Sequence, residues 1–240
     1  MKLEFKKSLT NKIVLILCVL FLFLFLLGYF LPVGIDKVKH LGYGQYFFSA
    51  YTVATEFGFL LFSFIIAYFI NKEYSNKNTL FYKLIGDNVY TFFYKKALVL
   101  FVECFLIIWI FITVISLIFG DFTHYLLLLL LFGLVILQYI LIIGTISMLF
   151  SNILLSIGIS IVFWIGSIIL VAVNKSIFGI IAPFEASNTM YHTVNKILQN
   201  DIQFLSSHDV ITLVIFFVAL FIINFILLTL AKKRWLRLGL

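Results

Sequence analysis

Six stretches of this chain are apolar over the length needed to cross the hydrocarbon core of a bilayer, roughly 20 residues at the helical rise. They fall at about 13–31, 47–70, 97–119, 125–150, 153–173 and 210–230. In hydrocarbon a backbone must satisfy its own polar groups, so each run reads as a helix and the chain as an all-α polytopic membrane protein. Composition agrees: 64% of the 240 residues are hydrophobic and 11% are charged, more apolar surface than a soluble fold can hide. A single transmembrane domain over 1–240 is expected, with no room for a separate soluble unit. The first run follows Lys6, Lys7 and Lys12, as a secretory signal does, but it is too long for a signal core and lacks a small-x-small cleavage pattern. Cys18 and Cys104 lie inside apolar runs, where small buried side chains are expected rather than a disulfide or metal pair.

Charge gives the orientation. With the N-terminus inside, the inner segments hold Lys2, Lys6, Lys7, Lys12, Lys72, Lys77, Lys83, Lys95, Lys96, Lys232, Lys233, Arg234 and Arg237, thirteen of the seventeen basic residues. The outer segments hold only Lys37, Lys39, Lys175 and Lys196. The positive-inside rule therefore predicts six spans with both termini in the cytoplasm. It also accounts for the net charge of +7 without a nucleic-acid partner.

Three connections are long enough to carry structure. In the inner segment 71–96, Asn78 to Gly86 predicts a short helix with Asn78 as N-cap, Gly86 as stop, and Leu80, Phe81, Leu84 and Ile85 on one face. Thr79, Tyr82 and Lys83 would face elsewhere. Asp87-Asn88 offers a second cap, and Tyr90, Phe92, Phe93 and Tyr94 with Lys95 and Lys96 suit an interfacial entry into the third span. In the outer segment 174–209, Pro183 stands where the chain can turn back. Met190, Tyr191, Val194, Ile197 and Leu198 follow helical spacing, predicting an amphipathic helix lying on or dipping into the outer leaflet before the last span. The loop 32–46 carries Gly34, Gly42 and Gly44 and reads as flexible. Very short turns at 120–124 and 151–152 make the third, fourth and fifth spans adjacent antiparallel hairpins.

Enzyme chemistry has little to stand on. His40, His124, His192 and His208 are spread over outer loops with no paired ligand spacing such as H-E-x-x-H. There is no Gly-x-Ser-x-Gly elbow, and no G-x-x-x-x-G-K-[ST] phosphate cradle. No cofactor is therefore expected on this chain, and an ATPase, if one drives it, is another polypeptide. Glu56 and Glu103 lie inside spans, where carboxylates are costly and tend to be functional; packing or cavity lining is weighed against a proton relay. Gln138, mid-span, is expected to bond a neighbouring helix or to line a substrate path. The small residues Gly144, Thr145 and Ser147, with Ser156, Gly158 and Ser160 in the next span, are expected to let those two hairpin helices pack closely or to form a subunit interface.

The segment Asn71-Lys72-Glu73-Tyr74-Ser75-Asn76-Lys77-Asn78-Thr79-Leu80, continuing through Phe81-Tyr82-Lys83-Leu84-Ile85 to Lys95-Lys96, resembles the stretch after the second span in ABC-2 type exporter permeases. There a Glu, a polar linker, a Thr-Leu start and a short amphipathic helix precede a Lys that opens the third span; Glu73, Thr79, Leu80 and Lys96 occupy those places. The Asn- and Lys-rich linker departs from the pattern in lacking a glycine before the Thr. Six spans with both ends inside, a basic N-terminal segment and a partly helical segment before the sixth span extend the likeness along the chain. Size and composition are similar to small bacteriocin- or lantibiotic-immunity permeases and amphipathic-peptide exporters of Gram-positive bacteria.

The resemblance implies a multi-pass subunit of the bacterial plasma membrane that pairs with a second, identical or homologous permease and binds cytosolic ABC ATPase subunits carrying ATP and Mg. Its substrate would be a hydrophobic or amphipathic peptide, exported as a toxin or cleared for self-immunity. Leu80, Phe81, Leu84 and Ile85 would dock on the ATPase, with Glu73, Lys77 and Lys83 at the polar rim and Thr79 at the helix start. The alternative from another class is an ion-coupled secondary transporter using Glu56 and Glu103.

Overall fold

The computed structural model describes residues 2–35, 37–75, 82, 84, 86–150, 152–199 and 202–237, and every regular element among them is helical. In chain order these are α1 (Lys2–Thr10), α2 (Ile13–Phe30), α3 (Tyr43–Glu56), α4 (Gly58–Ser75), α5 (Val89–Phe119), α6 (Tyr125–Leu149), α7 (Ile153–Val173), the single turn α8 (Lys175–Phe178), α9 (Thr189–Leu198) and α10 (Ser207–Arg237). A wider π turn, Leu31–Ile35, prolongs α2. The stretch Ile13–Ile35 and helices α5, α6, α7 and α10 are long and apolar enough to cross a bilayer. α3 and α4 make a sixth crossing when the pair, bent by 53°, is counted as one span.

That bend departs from the unbroken second span read from hydropathy. Its cause is local. The Tyr139 hydroxyl of α6 donates to the carbonyls of Ala54 (2.7 Å) and Thr55 (3.3 Å), the last turn of α3. Thr55 turns its own hydroxyl back onto the Tyr51 and Thr52 carbonyls. A side chain inserted into the helical ladder is a recognised cause of a sharp kink. Gly58 makes the insertion possible, since a Cβ there would stand 3.0 Å from the Tyr139 ring.

α5 also differs from expectation. Asn88 caps it by accepting from the Thr91 amide (2.9 Å), while the Thr91 hydroxyl accepts from the Asn88 amide (2.8 Å). The helix thus starts eight residues ahead of the apolar run, and Phe92, Phe93 and Lys96 are buried inside the bundle instead of resting at an interface.

The other crossings are arranged round α6, which packs against α3, α4, α5, α7 and α10. Two-thirds of its apolar window (67%) is buried in protein, against 22% for α7 and 17% for α10, whose outer faces therefore need lipid or another chain to cover them. Between helices in hydrocarbon, burial of apolar surface supplies little drive, so close approach and polar bonds must fix the arrangement. Gly144 of α6 supplies the first: a Cβ there would meet Ile70 of α4 and Phe93 of α5, each at 2.9 Å. Asn224 of α10 supplies the second, accepting from Tyr94 of α5 (2.6 Å) and donating to Thr145 of α6. Asn71 of α4 does the same for α6 and α7. Its amide nitrogen donates to the carbonyls of Ser147 (3.0 Å) and Phe150 (2.9 Å), and its oxygen accepts from the Ser156 hydroxyl (3.0 Å).

Of the small residues of α6 and α7, expected to let the two hairpin helices pack closely or to form a subunit interface, Ser147 and Ser156 converge on Asn71 of α4, and the others point elsewhere. Gly144 faces α4 and α5, Thr145 faces α10, and Gly158 has open space where a Cβ would sit. The amphipathic helix is present as α9, capped by Asn188 accepting from the Thr189 amide (2.7 Å). Its apolar face is covered by protein rather than lying on lipid: Met190, Val194, Ile197 and Leu198 are buried, and Tyr191 hydrogen-bonds Thr52 of α3. Gly44 of α3 permits this docking, because a Cβ there would overlap the Leu198 carbonyl.

Candidate functional site

Two polar regions interrupt the apolar bundle. The first surrounds the connection between α4 and α5. Of the residues expected to dock a partner, Thr79, Leu80, Phe81, Lys83 and Ile85 lie outside the described residues. Tyr82 and Leu84 are helical. The Asp87 amide donates back to the Tyr82 carbonyl (2.9 Å) across Gly86, whose φ of 86° is the left-handed conformation that closes a helix. This is the stop that Gly86 was expected to supply. Two residues apart on a helix point to opposite sides: Leu84 is 81% exposed, and Tyr82 is 2% exposed.

Tyr82 faces a buried cluster that α1 completes. Its hydroxyl donates to Glu4 (2.6 Å) and accepts from Lys7 (2.8 Å), and Lys7 pairs with Glu73 of α4 (2.9 Å). Lys96 of α5 pairs with Glu4 (3.2 Å), stands 3.9 Å from Glu73, and donates to the Phe69 carbonyl (3.0 Å). Its ammonium lies 4.1 Å from the centre of the Phe69 ring. At 1% exposure a lone ammonium is untenable, and two carboxylates with a carbonyl compensate it. Glu4 and Glu73 balance Lys7 and Lys96. Burial, and then the hydrogen bond to Glu4 and the charges of Glu4 and Glu73, raise the Tyr82 hydroxyl above its ordinary range, so it keeps the proton it donates.

Glu73 is therefore not at the polar rim of an exposed face, and Lys96 does not open a span. Both are buried in one network that ties α1, the helix at Tyr82, α4 and α5 together. Beside it, Ser8 donates to Glu103 (2.7 Å) and Lys72 to Asn11 (2.7 Å), fastening α1 along its length. Sequence reasoning missed Glu4, Lys7, Ser8 and Tyr82. The available signal was Glu4, the one acid in a basic N-terminal stretch.

The second region lies midway along the spans, level with the middle of α6 and of α7. After α8, residues 179–188 fold back along α7 and bring Glu185 level with Gln138 of α6 and Trp164 of α7. The three line a small cavity of ≈ 20 Å³ together with Thr55, Tyr139 and Ser167. Glu56, the last residue of α3, accepts from the Ala186 amide (3.3 Å) and so stands beside Glu185. Burial, and then the like charge of Glu56, push the Glu185 carboxyl up to about 7, opposed by the hydrogen bond from the Ala186 amide. The Gln138 side-chain oxygen, expected to bond another helix, has no donor, and neither does the buried Tyr51 hydroxyl have a partner. Among the described residues no ion pair reaches Glu56 or Glu185.

Glu56 and Glu103, the pair needed for an ion relay, are not brought together. Glu103 is held by α1, and Glu56 by the Ala186 segment. Among the described residues no group of three or more His, Cys, Asp or Glu is placed to hold a metal ion.

The chain matches the peptide export permease protein YydJ family over residues 1–240. It is 60% identical over 240 residues, all of both chains, to the "Probable peptide export permease protein YydJ" of Bacillus subtilis (strain 168). No solved structure matches it.

Proposed function

The chain belongs to the YydJ family of peptide export permeases, a multi-pass protein of the bacterial cell membrane, and from that premise we propose that it is the membrane half of an ATP-driven ABC-2 type exporter. A separate cytosolic ATPase, holding ATP and Mg, binds the segment around Leu84, and a second permease, identical or homologous, completes the path. The α1 end, with its cluster of Lys residues, faces the cytoplasm, as do both termini. The substrate is a hydrophobic or amphipathic peptide, in keeping with a bundle so poor in charge, and its export serves toxin release or self-immunity.

The observation that carries this reading is the buried network of Glu4, Lys7, Glu73, Tyr82 and Lys96. A coupling helix must transmit a push from a soluble motor into spans that have no soluble domain of their own. Tyr82 on its buried side is bonded through Glu4 and Lys7 to Lys96 and Glu73, so displacement of this helix carries α4 and α5 with it. The exposed Leu84 on its other side is free to enter a groove on the motor. Interlocked charged hydrogen bonds resist being pulled apart singly, since each break strands a buried charge.

Affinity purification of the tagged chain from its native membrane in mild detergent, with partners read by mass spectrometry, tests this. A P-loop ATPase is expected with the parent and is expected to be lost with Leu80→Asp, Leu84→Asp. Recovery of no ATPase from folded parent, or equal recovery from both, contradicts it.

A further inference from the structure

The region around Glu185 is built for a ligand that the chain does not itself supply. A carboxylate pair on its own would be unremarkable, but three features converge there. Glu185 is 7% exposed and faces a second carboxylate, with no cation paired to either among the described residues. Gln138, 8% exposed, lines the same cavity and its oxygen has no donor. Trp164 and Tyr139 contribute aromatic walls, which attract a cation over their faces. Acceptors, negative field and aromatic surface all call for a positive donor. The cavity volume of ≈ 20 Å³ admits one water-sized head group.

We propose that Glu185 and Gln138, with the charge of Glu56 beside them, form a binding site for one positively charged nitrogen, the ammonium group of an exported peptide's lysine or N-terminus. The assignment to peptide rests on the export reading above; the recognition of an ammonium does not. An ammonium donates to the Glu185 carboxylate and the Gln138 oxygen and answers the Glu56 charge beside them, whereas a neutral amide or hydroxyl would leave both charges unmet. The site lies where the 179–188 segment folds against α3, α6 and α7, so a peptide held by its ammonium would have its apolar remainder against the bundle. With a pKa of about 7, Glu185 also provides release: protonation weakens the grip without any motion of the backbone.

The test uses the full chain in lipid nanodiscs without an ATPase. Trp109→Phe with Trp235→Phe leaves Trp164, the last of the three tryptophans, as reporter inside the site. Hexylammonium chloride is expected to change its emission saturably, with hexanol and with sodium or potassium chloride giving no such change. Glu56→Gln and Glu185→Gln are each expected to weaken the hexylammonium response at least tenfold, and Asp121→Asn, in the 120–124 turn, to leave it unchanged. A response to hexanol equal to that to hexylammonium overturns the proposal as simple apolar partitioning. A response to the inorganic salts assigns the site to a metal cation instead, and a response undiminished in both Gln variants removes these carboxylates from it. The comparison of hexylammonium with hexanol needs only the parent site, so a misfolded variant does not decide the matter. Failure here leaves ATPase recovery untouched, and failure of that recovery leaves this binding untouched.

Discussion

The two polar regions of the bundle handle buried charge in opposite ways. At the α1 end, Glu4 and Glu73 are matched by Lys7 and Lys96, with Tyr82 bridging between them. In the mid-span region, Glu56 and Glu185 face each other without a cation among the described residues, beside a glutamine oxygen with no donor. Matched charge locks elements together and asks for nothing from outside. Unmatched charge destabilises the empty state and becomes an asset when a ligand brings the missing donor. One region has the properties of a transmission, the other those of a recognition site, and the contrast predicts that substitutions in the two regions change stability in opposite directions.

The largest effect is expected from Lys96→Met. Removing one partner of a buried pair strands the remaining charges, a loss of about 3–5 kcal/mol. Thermal unfolding of the detergent-solubilised chain measures it, and adding Glu4→Gln to the same chain should recover part of the loss. Were Lys96→Met neutral, the α1 end would not be a lock.

Glu185→Gln is expected to act the other way above neutral pH. Its carboxyl is held at about 7 against an ordinary 4.5, so the folded chain keeps a proton that the unfolded chain releases between those values. The contribution is present in full below the ordinary value and is lost as pH rises through 7. The unfolding temperature should therefore fall between pH 5 and pH 7 in the parent and level off above that, less so in Glu185→Gln. Glu56, Tyr139 and Tyr191 face Glu185 as well, and Glu56→Gln should move the midpoint down by removing the like charge. A parent whose stability rises over that range would contradict the unmatched pair. The smallest effect is expected from Ser8→Ala, which removes one donor from Glu103 and should cost about 1 kcal/mol in the same assay.

Local pattern made some of this legible in the sequence. Apolar run length marked the crossings, Asn88 and Gly86 marked a helix start and a helix stop, and the spacing from Met190 to Leu198 marked an amphipathic helix. What escaped was the choice of partners, which depends on contacts between residues far apart in the chain. The kink after Glu56 is made by Tyr139, 85 positions from the Ala54 carbonyl it bonds. Gly144 and Thr145 look like a seam with the next helix and instead serve α4, α5 and α10. The same limit hid the α1 network: Glu4 reads as a surface residue until α1 is laid across α4 and α5. Glu56 and Gln138 were singled out by their cost in hydrocarbon, but Glu185 was not, because nothing local says that the segment holding it folds back into the bundle.

The most direct test of ATP-driven export is uptake of a fluorescent hydrophobic peptide carrying one lysine into inside-out vesicles that contain the chain and its co-purifying ATPase. Accumulation that requires ATP hydrolysis, persists when a protonophore collapses the proton gradient, and is lost in Leu80→Asp, Leu84→Asp is the predicted result. Accumulation that proceeds without ATP and disappears with the proton gradient would contradict it.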